Sequence, residues 1–329
     1  MRRRTLDPPK PAVSEHPRAH FDPKSGWFRR IERAASLFLS RNVWPRVPGS
    51  ALPYTAILER FLTVACAEIP IAALPAPFDG TTVLFLSDVH AGPFMSRAAL
   101  AKAFARLAAL SADVVIHGGD MATSNVREIL HHEDAVAGLT GRLGAFAVFG
   151  NHDHYTGDIE GVGRFFESCG VRVLNNDAIA LSRGGARIAL AGIDDWNIGR
   201  PDLAEAMHRS GLVAPDAPVV LISHNPDASL EAAARGVALT LSGHTHGGQV
   251  RIPGRPVLVR MSSFRLDEGR FEHEGAHIIV SRGLGVSGIP LRVACAPEAL
   301  LVTLRVGGQQ PLSLPENGSC PLSPLSPQA

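Results

Sequence analysis

No stretch of the 329-residue sequence supplies the roughly twenty consecutive apolar residues that a membrane-spanning helix needs. The nearest candidate, 61–78, is broken by Glu68, Pro70, Pro75 and Pro77. Cysteine is scarce. Cys66, Cys169, Cys295 and Cys320 form no CxxC pair and no tight framework, so they are expected to be ordinary thiols of a reducing compartment. Aromatics make up 6% of the chain, and no base-stacking cluster accompanies the basic residues, so a nucleic-acid partner is not expected. Arg2-Arg3-Arg4 invites an export reading, but Leu6-Asp-Pro-Pro-Lys-Pro follows where an apolar segment would be required. A cytoplasmic protein is expected.

What is present is unevenly distributed. Residues 1–46 carry eleven Lys/Arg against four acids, a surplus of +7, and with a whole-chain charge of +1 the remainder carries −6. Residues 1–25, rich in Pro and charge, read as disordered. Over 27–41 a helical period puts Arg29 and Arg33 on one stripe and Trp27, Ile31 and Phe38 on another. That helix could pack on the main domain or lie on an anionic membrane surface, as a peripheral attachment to the inner face. The organisation expected is a basic extension over 1–56, a catalytic domain over 57–306 and a disordered tail over 307–329.

Within 57–306 apolar strands alternate with helical stretches. Strands are expected over 60–69, 81–87, 112–117, 145–149 and 171–174, a hairpin over 178–193, and further strands at 218–222, 238–241, 277–280 and 300–304. Helices are expected over 96–110, 124–139 and 158–169. The early strand-to-strand steps have the length of one βαβ crossover, so the fold class is α/β.

Five strands end in the same chemistry. Their exits read Ser87-Asp-Val-His90, His117-Gly-Gly-Asp120, Gly150-Asn-His-Asp-His154, Ser223-His-Asn-Pro226 and Gly243-His-Thr-His246. Asp and Asn often end a strand in a turn, but five exits of one chemical type exceed what turn propensity explains. Open α/β sheets place ligands at these ends. Imidazole nitrogen and carboxylate oxygen, without thiolate, suit Mn, Fe or Zn. Seven candidate ligands, Asp88, His90, Asp120, Asn151, His224, His244 and His246, are too many for one tetrahedral ion and are the number expected of two adjacent metals sharing a carboxylate.

These blocks, in this order from about Leu84 to His246, resemble the signature of the calcineurin-like metallophosphoesterases. The stretch from Ser281 to Arg292, with Pro297 and Glu298, is similar to the C-terminal segment of a bacterial phosphodiesterase-like subgroup. The resemblance implies two facing mixed β-sheets flanked by helices. It implies a first metal on Asp88, His90, Asp120 and His246, and a second on Asp120, Asn151, His224 and His244, with Asp120 bridging. His152 would protonate or stabilise the leaving oxygen, and Asp153 would orient His152. Manganese is favoured, with iron or zinc as alternatives.

The implied activity is a phosphodiesterase or pyrophosphatase that uses a metal-bridging hydroxide, on a phosphoester or pyrophosphate substrate. A lipid-linked substrate such as UDP-diacylglucosamine suits the basic arm. The rivals are a phosphomonoesterase acting on phosphoprotein or nucleotide, and a catalytically silent scaffold of the same fold. Arg292 could grip a substrate phosphate or be a surface arginine. His117 is expected to be a hydrogen-bonded core histidine. His154 and Asp194-Asp195 are left open between a place behind the site and an exposed loop.

Overall fold

A computed structural model describes residues 3–5, 34, 37–209, 211, 217–253 and 257–307. Most of the expected helix over 27–41, and the tail from 308 onward, lie outside them.

Thr82–Leu86 (β3), Val114–Gly118 (β4) and Ala145–Val148 (β5) are parallel neighbours, with the two-residue strand Arg172–Val173 (β6) at their edge. Glu298–Val306 (β13) runs antiparallel to β3 and pairs with Thr63–Ile71 (β2), completing a six-stranded sheet in the order β2-β13-β3-β4-β5-β6. The hairpin Asp177–Arg183 (β7) and Ala186–Gly192 (β8) opens the second sheet. Val219–Ile222 (β9), Leu239–Ser242 (β10), Gly269–His273 (β11) and Ala276–Val280 (β12) continue it. Its order is β1-β11-β12-β10-β9-β8-β7, where β1 is Arg3–Thr5 on the outer edge. The sequence reading had assigned Arg3–Thr5 to a disordered arm. The open backbone groups of β11 give this short segment a partner in parallel register.

Strand alternation sets the layers. In β3, Val83 and Phe85 face the second sheet, where they join Ile116, Val148, Leu190, Ile222, Leu241 and Ile279. Leu84 and Leu86 face the other way, toward Leu100, Phe104, Phe165 and Phe166 of the helices Arg97–Ala108 and Ile159–Ser168. On the far side, Ala189, Ala191 and Leu221 pack against Leu203, Ala206 and Ala232. Both faces of the central strands are thus covered, which is why they read as unbroken apolar runs rather than alternating ones. Each Leu or Phe buried in these layers contributes roughly 1.5–3 kcal/mol.

Three local differences from the sequence reading have physical causes. The expected helix over 124–139 is two 3₁₀ turns and a short helix, Glu133–Ala137. Asn125 starts the first turn by accepting from the Arg127 N–H, and the Glu128 carboxylate gathers the N–H groups of Thr123 and Ser124. The strand expected from Arg60 begins at Thr63, because Leu52–Phe61 is a helix with Tyr54 and Leu58 buried in the outer core. β11, which sequence reading missed, is held as the antiparallel partner of β12.

Candidate active site

The exits of β3, β4, β5, β9 and β10 come from both sheets and meet at one end of the molecule. Backbone hydrogen bonds lash them together: Asp88 N–H to the Gly119 carbonyl (2.9 Å), His90 N–H to that of Asp120 (3.0 Å), and Gly243 N–H to that of His224 (3.0 Å). The loop after β12 joins them through Leu284 N–H to the Ser87 carbonyl at 3.0 Å. Packing is too close for side chains at two positions. A Cβ on Gly150 would lie 2.2 Å from Asp120 Oδ1, and one on Gly243 would lie 2.4 Å from Asp88 Oδ2.

The backbone itself is strained here. Asp88, His90, Asp120, His244 and His246 all have φ between 47° and 70°, in the left-handed region that L-residues seldom occupy. Strain of this kind persists where surrounding structure over-determines it, and it clusters at functional sites.

All seven expected metal ligands are buried, and they fall into adjoining groups. Asp88, His90 and His246 present ligand atoms within 4.8 Å of one another, as do Asp88, Asp120 and His224. His90 Nε2 lies 3.1 Å from His246 Nε2 and 3.5 Å from Asp120 Oδ2. His246 Nε2 is 3.5 Å from Asp88 Oδ1. On the other side His224 Nε2 approaches the same Asp120 Oδ2 to 3.3 Å, so Asp120 stands between the two groups. Asn151 Oδ1 faces His244 Nδ1 at 2.8 Å, and the His244 and His224 rings meet edge to face at 5.2 Å.

The neighbours that orient these groups are polar and buried. The Gly118 carbonyl can only accept, so His224 Nδ1 carries the hydrogen and donates to it at 2.8 Å, turning Nε2 toward Asp120. Asp88 Oδ2 accepts from Ser87 Oγ at 2.6 Å and from the His244 N–H at 3.1 Å.

Burial pushes the imidazole pKa values of His90 and His246 well down, and that of His244 to about 4. The charge of His152 adds to the effect at His90, and that of Arg292 at His246. These rings are neutral at physiological pH, the form that binds metals. Burial alone would lower His224 as well, but the Asp120 carboxylate outweighs it and raises the value. His244 Nε2 is buried without a hydrogen-bond partner, and His224 Nε2 faces the Asp120 carboxylate. Buried carboxylates, converging neutral imidazoles and an orphaned ring nitrogen form a donor set that fits divalent cations.

His152 lies beside the cluster, half-buried, with its ring 4.6 Å from that of His90. Its Nδ1 donates to the Thr123 carbonyl at 2.6 Å, leaving Nε2 3.4 Å from Ser287 Oγ. The Asp153 carboxylate is engaged with the backbone rather than with the His152 ring. Fully buried, it accepts the backbone N–H groups of Asp120 (2.8 Å), Gly150 (2.9 Å) and Ala122 (3.0 Å), fixing the shape of two strand exits. Burial, with the nearby Asp120 charge, raises its pKa to about 6 against those hydrogen bonds.

Arg292 also differs from expectation. It is buried behind His246, where its guanidinium donates to the carbonyls of Gly285 (2.9 Å), Arg282 (2.7 Å) and His246 (3.3 Å). It therefore props the β10 and β12 loops and is not the surface arginine that was the other expectation. His117 is a core residue, as expected, but without the expected hydrogen bond. Its ring packs between Phe104 and Phe166, both nitrogens lack a hydrogen-bond partner, and burial lowers its pKa to about 4. His154 Nε2 bonds Asp194 Oδ1 at 2.7 Å, joining the β5 and β8 exits.

Sequence reasoning missed Thr123, which acts through its backbone carbonyl, and Gln249, whose side chain spans to the backbone of Ser287. Ser287 lay inside the glycine-rich block whose resemblance was noted, but nothing in the sequence placed it against His152.

Residues 81–248 match the sequence profile of the calcineurin-like phosphoesterases. The chain is 31% identical over 275 residues to the "Transmembrane protein with metallophosphoesterase domain" of Danio rerio, covering 78% of this chain and 62% of that protein. It spans less than two thirds of that relative's length. It is 30% identical to the "Uncharacterized metallophosphoesterase YkuE" of Bacillus subtilis (strain 168), covering 78% of this chain and 91% of that protein. It is also 30% identical to the "Phosphodiesterase YaeI" of Escherichia coli (strain K12), covering 70% and 83% respectively. With five signature blocks meeting at one end of two facing sheets, the chain belongs to the calcineurin-like phosphoesterase family, hydrolases acting on phosphoester bonds.

Proposed function

We propose that the protein is a divalent-metal-dependent phosphodiesterase or pyrophosphatase. One observation carries the reading: Asp88, His90, Asp120, His224 and His246 bring their ligand atoms together around a single shared carboxylate. Asp88, His90, Asp120 and His246 would hold one cation, and Asp120, Asn151, His224 and His244 a second, with manganese favoured. Bound there, such cations supply Lewis acidity toward a phosphoryl group and lower the pKa of water.

The chain's own residues do the rest. His152 keeps its Nδ1 hydrogen on the Thr123 carbonyl and exchanges a proton at Nε2, the nitrogen left free of that bond. In its protonated form it donates from Nε2 to the departing oxygen. Ser287 Oγ marks one wall of the space where that oxygen sits. The printed name of the Escherichia coli relative, a phosphodiesterase, supports the diester reading.

The substrate we favour is lipid-linked, of the UDP-diacylglucosamine kind. The support is the +7 surplus of residues 1–46, suited to an anionic membrane surface, whether 27–41 lies on it or packs on the domain. No helix among the described residues is long and apolar enough to cross a membrane. Hydrolysis of bis-p-nitrophenyl phosphate with Mn²⁺ tests the chemistry: Asp120→Ala should fall to background, and unchanged turnover would remove the proposed centre. A panel of diesters, pyrophosphates and monoesters separates the diesterase from a phosphomonoesterase acting on phosphoprotein or nucleotide. Inactivity on every member, with metal bound, would favour a silent scaffold.

A further inference from the structure

Large exposed hydrophobic side chains are ordinary when scattered, and informative when clustered. Among the described residues fifteen are exposed, and eight of them fall in two short segments, 249–266 and 287–293. Ile252, Leu258 and Val259 are more than half exposed, and Ile289 and Leu291 nearly so.

The described residues of these segments are tied to one another and to the domain. The Arg251 N–H donates to the Val293 carbonyl and the Val293 N–H to that of Gln249, both at 3.0 Å, zipping the two segments together. Gln249 Nε2 reaches the Ser287 carbonyl at 3.1 Å. Ser262 Oγ donates to the buried carboxylate of Asp227 at 2.5 Å, and Thr245 Oγ1 to the Asp267 carbonyl at 2.6 Å. Gln249, Arg251 and Ser262 are thus paired, while Ile252, Leu258, Val259, Ile289 and Leu291 are held outward.

The patch borders the reaction site, since Ser287 touches His152 and Gln249 follows directly on the His246–Gly248 turn. It has a counterpart across His152. The Tyr155 ring packs on His152 at 5.1 Å, and Arg41 ties the segment carrying the exposed Phe38 and Val47 to the carbonyls of Tyr155 and Ser124. Arginine is the charged residue of the first segment. Residues 249–266 contain four arginines and no acid, and the carboxylates that answer Arg251 and Arg260 belong to Glu268 and Asp267, which are not exposed. Arg265 is exposed among the aliphatics.

We infer that residues 249–253, 257–266 and 287–293 form an interfacial surface that seats the reaction site against an anionic lipid bilayer. Outward aliphatics bury in the headgroup boundary while the exposed Arg265 guanidinium meets lipid phosphate. The inference takes its purpose from the lipid-linked substrate proposed above, but it is read by membrane binding alone, without turnover.

The test is co-sedimentation of the full chain with vesicles of phosphatidylcholine alone or mixed with phosphatidylglycerol. It compares wild type, the triple variant Leu258→Ser/Val259→Ser/Leu291→Ser, and a chain lacking residues 1–36. Wild type should pellet with the mixed vesicles in preference to the neutral ones. The triple variant should partition at least about tenfold more weakly. Its melting temperature and its hydrolysis of soluble bis-p-nitrophenyl phosphate should match wild type. The shortened chain should keep a loop-dependent share of binding, lost on adding the triple substitution.

Equal pelleting of wild type and triple variant would overturn the inference, as would failure of wild type to bind mixed vesicles. Concentration-dependent self-association abolished by the triple substitution, without vesicle binding, would assign the surface to a second copy instead. Lost turnover with intact vesicle binding would strike the catalytic reading and leave this one standing.

Discussion

His152 and Asp153 are adjacent in sequence and have separate tasks. The imidazole is aimed by the Thr123 carbonyl, whereas the carboxylate holds three backbone N–H groups together. His152→Ala is expected to lower kcat by roughly 10²–10⁴-fold, with the greater loss on diesters whose leaving group is a poor one. Asp153→Asn replaces one acceptor oxygen by a donor facing N–H groups. It should lower stability by roughly 1–3 kcal/mol, seen as a drop in the denaturation midpoint. A Asp153→Asn protein of full stability whose rate falls only with poor leaving groups would return Asp153 to the orienting role.

His154 offers a pH test. Its hydrogen bond to Asp194 raises the imidazole pKa against the opposing effect of burial. A raised folded-state value means the contribution is fully present below the ordinary histidine value of about 6.5 and fades as pH rises through the folded value. The stability gap between wild type and His154→Gln should therefore be wider near about pH 6 than near about pH 9. A gap that is flat or grows with pH would contradict the pairing.

Among the elements, the strand exits were the legible part. Asp, Asn and His after a buried apolar run announce themselves, because strand interiors exclude them and function gives them a place. Arg292 and Thr123 were illegible for the opposite reason. Each works through main-chain carbonyls, whose partners depend on which loops become neighbours. The segment 124–139 read as helix because its apolar spacing is helical, but the Glu128 carboxylate draws in the N–H groups of Thr123 and Ser124. Leu52–Phe61 was overlooked because its last two residues, Arg60 and Phe61, were read as the start of the apolar strand that follows.

The glycines between exits give an element-scale prediction. Gly150 approaches Asp120 so closely that a methyl group would meet its carboxylate at 2.2 Å, so Gly150→Ala should push Asp120 out of place. We expect a loss of roughly 10²-fold in activity with reduced metal retention and little change in secondary structure by circular dichroism. Wild-type kinetics in Gly150→Ala would mean that the Asp120 position is not critical.

For the whole molecule, the two sheets are a device for bringing distant sequence positions together. β3 and β10 lie in different sheets, yet Asp88 accepts the N–H of His244, 156 residues further along the chain, at 3.1 Å. The sequence order of the five exits was readable; the exposed aliphatic rim was not. Ile252, Leu258 and Leu291 look like core residues in a sequence, and only the folded chain puts them outside. The same end of the molecule thus carries buried charge at its centre and apolar side chains at its margin, an arrangement suited to a phosphate group attached to lipid.

The central claim is that exits from both sheets hold a pair of divalent cations around Asp120. Metal content, measured by plasma mass spectrometry after loading with Mn²⁺ and gel filtration, tests it without reference to any substrate. Wild type should retain close to two ions per chain, and Asp120→Asn, with an unchanged fold by circular dichroism, about one or fewer. Wild-type protein that retains no metal, or a variant that retains as much as wild type, would contradict the account.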